Sequence, residues 1–257
     1  MTRNRYEIIY GVHSVRHAMQ HSQEQVVELW LQENKRTSSE LKNIFKLADT
    51  IGVTIQMVRR EALDKLTGTD VHQGIAIRRR ATRQSSINEL DSLLLRHRNP
   101  VSLFLVLDGL QDPHNLGACL RSADAAGADA VIVPKNRAAV VNATVRKVAS
   151  GAAEHMPVIA VTNIARSLVK MQQAGIWIIG MTDGAGTGIY TTDLTVPLAI
   201  VVGAEGKGLR QNTRKHCDLI VSLPMLGVVE SLNVSVTAGV CLYEVLRQRQ
   251  VRTDVSQ

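Results

Sequence analysis

Residues 103–117 read Leu103-Phe104-Leu105-Val106-Leu107-Asp108-Gly109-Leu110-Gln111-Asp112-Pro113-His114-Asn115-Leu116-Gly117. An unbroken apolar run with no polar alternation describes a strand buried on both faces, the situation of a parallel sheet covered by helices. The run stops at Asp108-Gly109, Pro113 stiffens the turn, and Asn115 can cap the free N–H groups of a helix. Leu116, Leu120, Ala123 and Gly127 then recur at helical spacing as a one-sided stripe. Arg121 lies five residues past Leu116, about 140° round the helix, so it points away from that stripe.

Working outward, further short apolar runs occupy residues 130–133, 158–161, 176–180, 198–202 and 219–222, with helical patterns between them. Strand and helix in alternation predict an α/β fold with a mostly parallel sheet and helices on both sides. Ligands of such sheets bind beyond the carboxyl ends of the strands, so the loops after these runs are the place to look for chemistry. Before residue 100 the pattern is smaller in scale. Residues 26–31, 53–58 and 72–77 read as strands, and 38–48 as a helix through Leu41, Ile44, Phe45 and Ala48. The polar stretch 78–86, with four arginines, reads as a linker. The expected organisation is a small α/β domain over 1–78, a linker over 79–100 and a large domain over 101–257.

Of 257 residues, 30 are Lys or Arg and 23 are Asp or Glu, a net charge of +7. Residues 1–80 hold 13 of the basic and 9 of the acidic side chains, so the front carries most of the excess. A hydrophobic content of 45% excludes disorder along the whole chain. Two Phe, two Trp and four Tyr are few for a protein that holds nucleic acid mainly by stacking, so any nucleic acid is expected to be met at its phosphates. Cys119, Cys217 and Cys241 are widely spaced and form no C-x-x-C pair, which suits a reducing compartment. The N-terminus has no apolar signal segment and no run reaches membrane-spanning length. A cytoplasmic protein without membrane or metal is expected.

Several signatures are missing. No G-x-G-x-x-G follows the first large strand, and Gly203-Ala204-Glu205-Gly206-Lys207-Gly208 lacks the Ser or Thr of a nucleotide-hydrolysing loop. His13 and His17 stand one turn apart without the glutamate of a zinc-protease helix. Gly184-Ala185-Gly186-Thr187-Gly188 reads as a flexible surface loop.

Three loops carry more. The first is Asp108 to Gly117 with Arg121 behind it. The second is Gly203 to Gly208, where three glycines allow either close backbone approach or positive φ, and Glu205 stands among them. The third runs Leu223-Pro224-Met225-Leu226-Gly227-Val228-Val229-Glu230-Ser231-Leu232-Asn233. Such an apolar loop is poorly placed in water and is expected to fold over something, a purine ring for example. Ser231 and Asn233 can cap the helix that follows, which is apolar on most sides through Val236, Val240, Tyr243 and Leu246 and is therefore expected to face both its own core and a partner subunit.

Asn115-x-Gly117-x-x-x-Arg121, Val202-Gly203-Ala204-Glu205-Gly206-x-Gly208 and Leu223-Pro224-Met225-x-Gly227-x-x-x-Ser231-Leu232-Asn233-Val234-Ser235-Val236 resemble, in order and spacing, the three motifs of the SpoU–TrmH family of RNA ribose 2′-O-methyltransferases, part of the SPOUT superfamily. In front of them, Tyr10-Gly11-Val12-His13-Ser14-Val15 and His72-Gln73-Gly74-Ile75 are similar to the substrate-binding domain of members that methylate a guanosine of bacterial 23S rRNA, a ribosomal-protein-like α/β domain. The resemblance implies a C-terminal deep trefoil knot, S-adenosyl-L-methionine as cofactor, 23S rRNA as partner and a homodimer. By position, Gly203, Leu223 and Leu232 would line the cofactor site through their backbone, and Asn115, Arg121, Glu205, Ser231 and Asn233 would form the catalytic group. Leu223 replaces the commoner isoleucine, and Val229-Glu230 fill variable positions.

The family proposal makes Arg121 the general base. A guanidinium with pKa above about 12 stays charged, so the sequence favours Arg121 as an orienting or alkoxide-stabilising group, with Glu205 or the RNA taking the proton. A tRNA 2′-O-methyltransferase, a resistance enzyme acting on an rRNA adenosine and a non-catalytic ribosome-assembly factor share parts of this pattern.

Overall fold

The computed structural model describes residues 6–21, 23–33, 39–80, 87–96, 102–136, 138–204, 206 and 208–255. Contacts divide the chain into two units, Met1–Arg83 with Val141–His155, and Gln84–Val140 with Met156–Gln257. The sequence reading keeps 101–257 together, whereas residues 141–155 group with the front of the chain.

The front unit contains β1 (Tyr6–Tyr10), α1 (Val12–His21), β2 (Val26–Gln32), α2 (Ser39–Ile51), β3 (Ile55–Val58), α3 (Arg60–Thr67) and β4 (Ile75–Arg80). Its sheet has the order β1-β4-β2-β3, with β2 and β3 parallel and the other pairs antiparallel. Alternate residues Ile9, Leu29, Leu31, Ile75 and Ile77 point to one face and bury against Val15 and Met19 of α1 and Leu41, Ile44 and Ala48 of α2. The strand expected at 72–77 begins three residues later, because Gln73 and Gly74 turn the chain at positive φ. That turn is held by His72, whose ring accepts from the Gly74 N–H (2.9 Å) and meets Asp64 (2.8 Å). The Val12 N–H donates to Gln73 Oε1 (2.9 Å) and the Gly11 N–H to the Ile75 carbonyl (3.2 Å), so the two front segments singled out in the sequence lie side by side.

The linker reading needs two corrections. Arg78, Arg79 and Arg80 belong to β4, and residues 87–96 form α4 (Ile87–Arg96); the remainder, 81–86 and 97–100, lies outside the described residues. Arg79 occupies a buried strand position because it is paired. It bonds Glu7 (2.7 Å) and Glu154, while Arg146 bonds Glu7 (2.9 Å) and Glu154 (2.9 Å).

The second unit continues with β5 (Leu103–Asp108), α5 (Pro113–Ala125) and β6 (Ala130–Pro134). After α6 (Ala143–Ala149), which groups with the front unit, come β7 (Val158–Val161), α7 (Ile164–Gln173), β8 (Trp177–Met181), β9 (Leu198–Gly203), α8 (Gln211–Arg214), β10 (Leu219–Val221) and α9 (Val234–Val255). The sheet runs β10-β8-β9-β5-β6-β7 and every neighbouring pair is parallel. Each apolar run read from the sequence of this unit is a strand, to within one residue at either end. Leu90 of α4 and Leu168 and Met171 of α7 cover Phe104, Val106, Ile132 and Val201, while α5 and α9 pack on each other and on β6 and β9. The stripe of α5 is buried through Leu116, Leu120 and Ala123. Gly127 falls beyond the helix, at positive φ.

Burial pushes the thiols of Cys119, Cys217 and Cys241 each up to about 12, with Asp218 and Asp108 adding to the effect at Cys217. At pH 8 all three are therefore protonated and poor nucleophiles. Mass spectrometry after iodoacetamide treatment should find them unmodified in the native protein and fully alkylated in denaturant; rapid native labelling of Cys119 or Cys241 would show that the core around them opens.

Candidate active site

Because the strands of the second unit are parallel, their carboxyl ends line one edge, and Asp108 of β5 stands in register beside Gly203 of β9. The Asp108 side chain is fully buried. One carboxylate oxygen accepts from the Arg210 N–H (3.1 Å), and the other faces the Arg210 guanidinium at 3.5 Å. Gly109, at φ +91°, leaves room for that guanidinium. The chain thus returns over the end of β9, and Gly203 makes this possible. A Cβ there would stand 2.1 Å from the Gly208 carbonyl carbon and 2.4 Å from the Leu209 nitrogen. Gly206 and Gly208 serve differently, at φ +70° and +59° with open space where a Cβ would be. Of the two uses the glycines allow, Gly203 provides the close approach and the other two the positive φ. Glu205 lies outside the described residues.

α5 opens with Asp112, whose carboxylate accepts from the His114 N–H (2.9 Å), followed by Pro113. The cap is therefore Asp112, not Asn115. Asn115 sits inside the first turn, buried, and its Oδ1 accepts from Asn233 Nδ2 (3.1 Å). The Asn233 Oδ1 in turn accepts from the N–H (2.9 Å) and the hydroxyl (2.6 Å) of Ser235, so Asn233 caps α9 as the sequence suggests. Deeper along, Gly239 of α9 faces Ser122 of α5 closely. Two helix starts, each with unsatisfied N–H groups and a partial positive charge, meet at the Asn115–Asn233 pair.

Arg121 is exposed on α5, and Ser231 and Leu232 are exposed just before α9, while Leu223 is half-buried. The loop at 184–188 lies on the surface, as its glycines suggest, and is tied at several points to Ser222. Ser222 donates its N–H to the Thr187 carbonyl (3.0 Å) and its hydroxyl to the Ala185 carbonyl (3.0 Å), and its own carbonyl accepts from the Ile189 N–H (3.0 Å). These bonds clamp the glycine loop against the entry to Leu223. At the carboxyl end of β8 the hydroxyl of Thr182 is buried with no hydrogen-bond partner among the described residues. No sequence signal marks this residue. Among the described residues no group of three or more His, Cys, Asp or Glu is arranged to hold a metal ion, and no helix is long and apolar enough to cross a membrane.

The apolar third loop does not cover the protein's own core. Leu226 and Val228 are almost wholly exposed, and Val229, Leu232, Val236 and Tyr243 continue the apolar surface onto α9.

The family described as SpoU rRNA Methylase matches residues 102–243, and the one described as RNA 2′-O ribose methyltransferase substrate binding matches residues 8–84. A Haemophilus influenzae protein named 23S rRNA (guanosine-2′-O-)-methyltransferase RlmB is 49% identical over 247 residues, covering 95% of this chain and 98% of its own. Its namesake from Pseudomonas putida is 50% identical over 246 residues, with 96% and 98% covered. Among solved structures, the SpoU methyltransferase AviRb of Streptomyces viridochromogenes, in complex with AdoMet, superposes with a TM-score of 0.80 at 24% identity over 97% of this chain and 93% of its own. An RNA 2′-O ribose methyltransferase superposes with a TM-score of 0.78 at 28% identity, with 96% and 90% covered.

Proposed function

The chain belongs to the SpoU rRNA methylase family, and we propose from that premise that it transfers a methyl group from S-adenosyl-L-methionine to the ribose 2′-hydroxyl of a guanosine in 23S rRNA. The observation that carries this reading is the 3.1 Å bond from Asn233 to Asn115, which joins the first and third motifs, while Asp108, ahead of the first, stands in register beside Gly203 of the second. Whole-length relatives named for the guanosine reaction on 23S rRNA support that substrate over tRNA.

Backbone at Gly203, Leu223 and Leu232 would line the cofactor site, and the unsatisfied Thr182 hydroxyl fits a polar group of the ligand. S-adenosylmethionine, when bound, supplies an electrophilic methyl carbon on a positively charged sulfur. The remaining work is positional and protonic. The paired amides of Asn115 and Asn233, with the Ser231 hydroxyl, would hold the ribose so that its 2′-oxygen lies in line with that carbon. Arg121, always charged, would orient an RNA phosphate or stabilise the developing alkoxide, and the 2′-hydroxyl proton would pass to Glu205 or to the RNA.

The trefoil-knot reading of the C-terminal part rests on membership of the family. The apolar surface from Leu226 to Tyr243 supports a homodimer in which a second copy covers it. The front unit would hold the rRNA, in the cytoplasm.

Mapping 2′-O-methylation across rRNA and tRNA in cells lacking the protein should show one lost guanosine methylation in 23S rRNA; loss at a tRNA ribose with rRNA intact overturns the reading. The proton acceptor is resolved by pH–rate profiles of three variants. Arg121→Ala should lose about 100-fold or more at every pH, with Arg121→Lys recovering part of it. Glu205→Gln should remove the acid limb, and full turnover with an unchanged profile would exclude Glu205 as the base.

A further inference from the structure

Among the described residues, one face of the front unit's sheet is closed by α1 and α2 and the other is covered only in part. Against the second face α3 packs through Leu63 onto Tyr10 and Ala76, leaving Ile8, Trp30 and Val58 only partly buried. Beyond that cluster the strand alternation brings Tyr6 of β1, Arg78 and Arg80 of β4, Glu28 and Trp30 of β2 and Gln56 of β3 to the same face. Arg78 lies between two rings, its guanidinium carbon 5.3 Å from the Tyr6 ring centre and 5.9 Å from that of Trp30. It donates to Glu28 at 2.6 Å, while Trp30 Nε1 donates to Gln56 at 3.1 Å. The group remains accessible, with Tyr6 40% and the Arg78 side chain 39% exposed. Near it opens a cleft of about 480 Å³ whose lining mixes Glu24, Glu28, Gln56 and Arg80 with apolar residues such as Val27 and Val53.

We propose that the uncovered part of this sheet face binds unpaired nucleotides of the RNA substrate, bases stacking on Tyr6 and Trp30 while Arg78 and Arg80 meet the phosphates. The inference rests on the methyltransferase reading for its choice of RNA, and adds to it the surface and the single-stranded form. Three observations carry it. The chain has only eight aromatic residues, and two of them flank one arginine on one exposed face. Held between two rings and a carboxylate, Arg78 loses little further freedom when a ligand arrives. Flat rings with a cation between them suit splayed bases and their backbone, whereas a duplex keeps its bases stacked inside. On this proposal the few rings of the chain act at one surface, alongside contact with phosphates.

The test uses the full chain with Trp177→Phe, which leaves Trp30 as its only tryptophan. A mixed-sequence single-stranded RNA of about 12 nucleotides should quench its fluorescence saturably, and an RNA duplex of equal length should not. By anisotropy of labelled RNA, Tyr6→Ala and Trp30→Ala should each raise Kd by about 5- to 100-fold, and Tyr6→Phe should stay within about two-fold of the parent. Absence of quenching, or unchanged Kd in Tyr6→Ala with a circular dichroism spectrum like the parent's, overturns the proposal. Tyr6 is an exposed ring, so that variant keeps the question open if Trp30→Ala fails to fold. Methyl transfer by the parent protein is scored separately. Transfer with ring-independent binding removes only the stacking platform, and ring-dependent binding without transfer removes only the enzyme.

Discussion

Gly203→Ala is expected to lower methyl transfer by at least about 100-fold and to remove measurable S-adenosylmethionine binding. The alanine Cβ would stand 2.1 Å and 2.2 Å from the carbon and oxygen of the Gly208 carbonyl, and 2.4 Å from the Leu209 nitrogen. All three are backbone atoms, so no side-chain rotation relieves the clash. Either the end of β9 or the returning segment must move by roughly an ångström, against core packing that resists such shifts. Movement of the segment also pulls the Arg210 N–H from Asp108, leaving a buried carboxylate short of a donor. Gly206→Ala is the matched control. With nothing within 4 Å of its Cβ position and φ at +70°, it should lose only about 1 kcal/mol of loop stability. Isothermal titration with the cofactor and a single-turnover methylation assay distinguish the two. Equal behaviour of the variants would mean that the crossing over Gly203 does not shape the site.

Glu154→Ala should destabilise the front unit by about 3–5 kcal/mol, because it removes one partner of a buried ionic network. Glu154 is fully buried, and Arg79 and Arg146 are 1% and 5% exposed. With Glu154 gone, two buried guanidinium groups share the single carboxylate of Glu7. In calorimetry the transition of the front unit should fall by more than about 10 °C. A shift below about 2 °C would place the network with surface ion pairs, which contribute little. The same network explains why residues 141–155 group with the front of the chain: α6 brings Arg146, and the turn after it brings Glu154, to charges supplied by β1 and β4.

That network also shows where sequence reading stops. Three consecutive arginines at 78–80 look like a solvated linker, since an arginine buried in a strand is rare unless its partners are known. The partners lie 72 and 75 residues away along the chain, at Glu7 and Glu154. The role of Asn115 is hidden in the same way. Local chemistry allows both Asp112 and Asn115 to cap the helix, and only the arrival of Asn233 shows that the Asn115 amide is engaged elsewhere. The bonds from Ser222 to the surface loop at 184–188 are likewise illegible in the sequence, because Ser222 is distant in the chain and meets backbone carbonyls that no side chain announces.

The sequence by itself determined the alternation of apolar runs and helices, hence the parallel sheet, and the three motifs in their order. Both are periodic or contiguous signals, written in neighbouring residues. The tertiary structure decided what depends on distant segments meeting: the joined amides of Asn115 and Asn233, the charges that bind 141–155 to the front sheet, and the two rings around Arg78. Such contacts are set by which surfaces burial forces together, and that choice belongs to the folded chain as a whole.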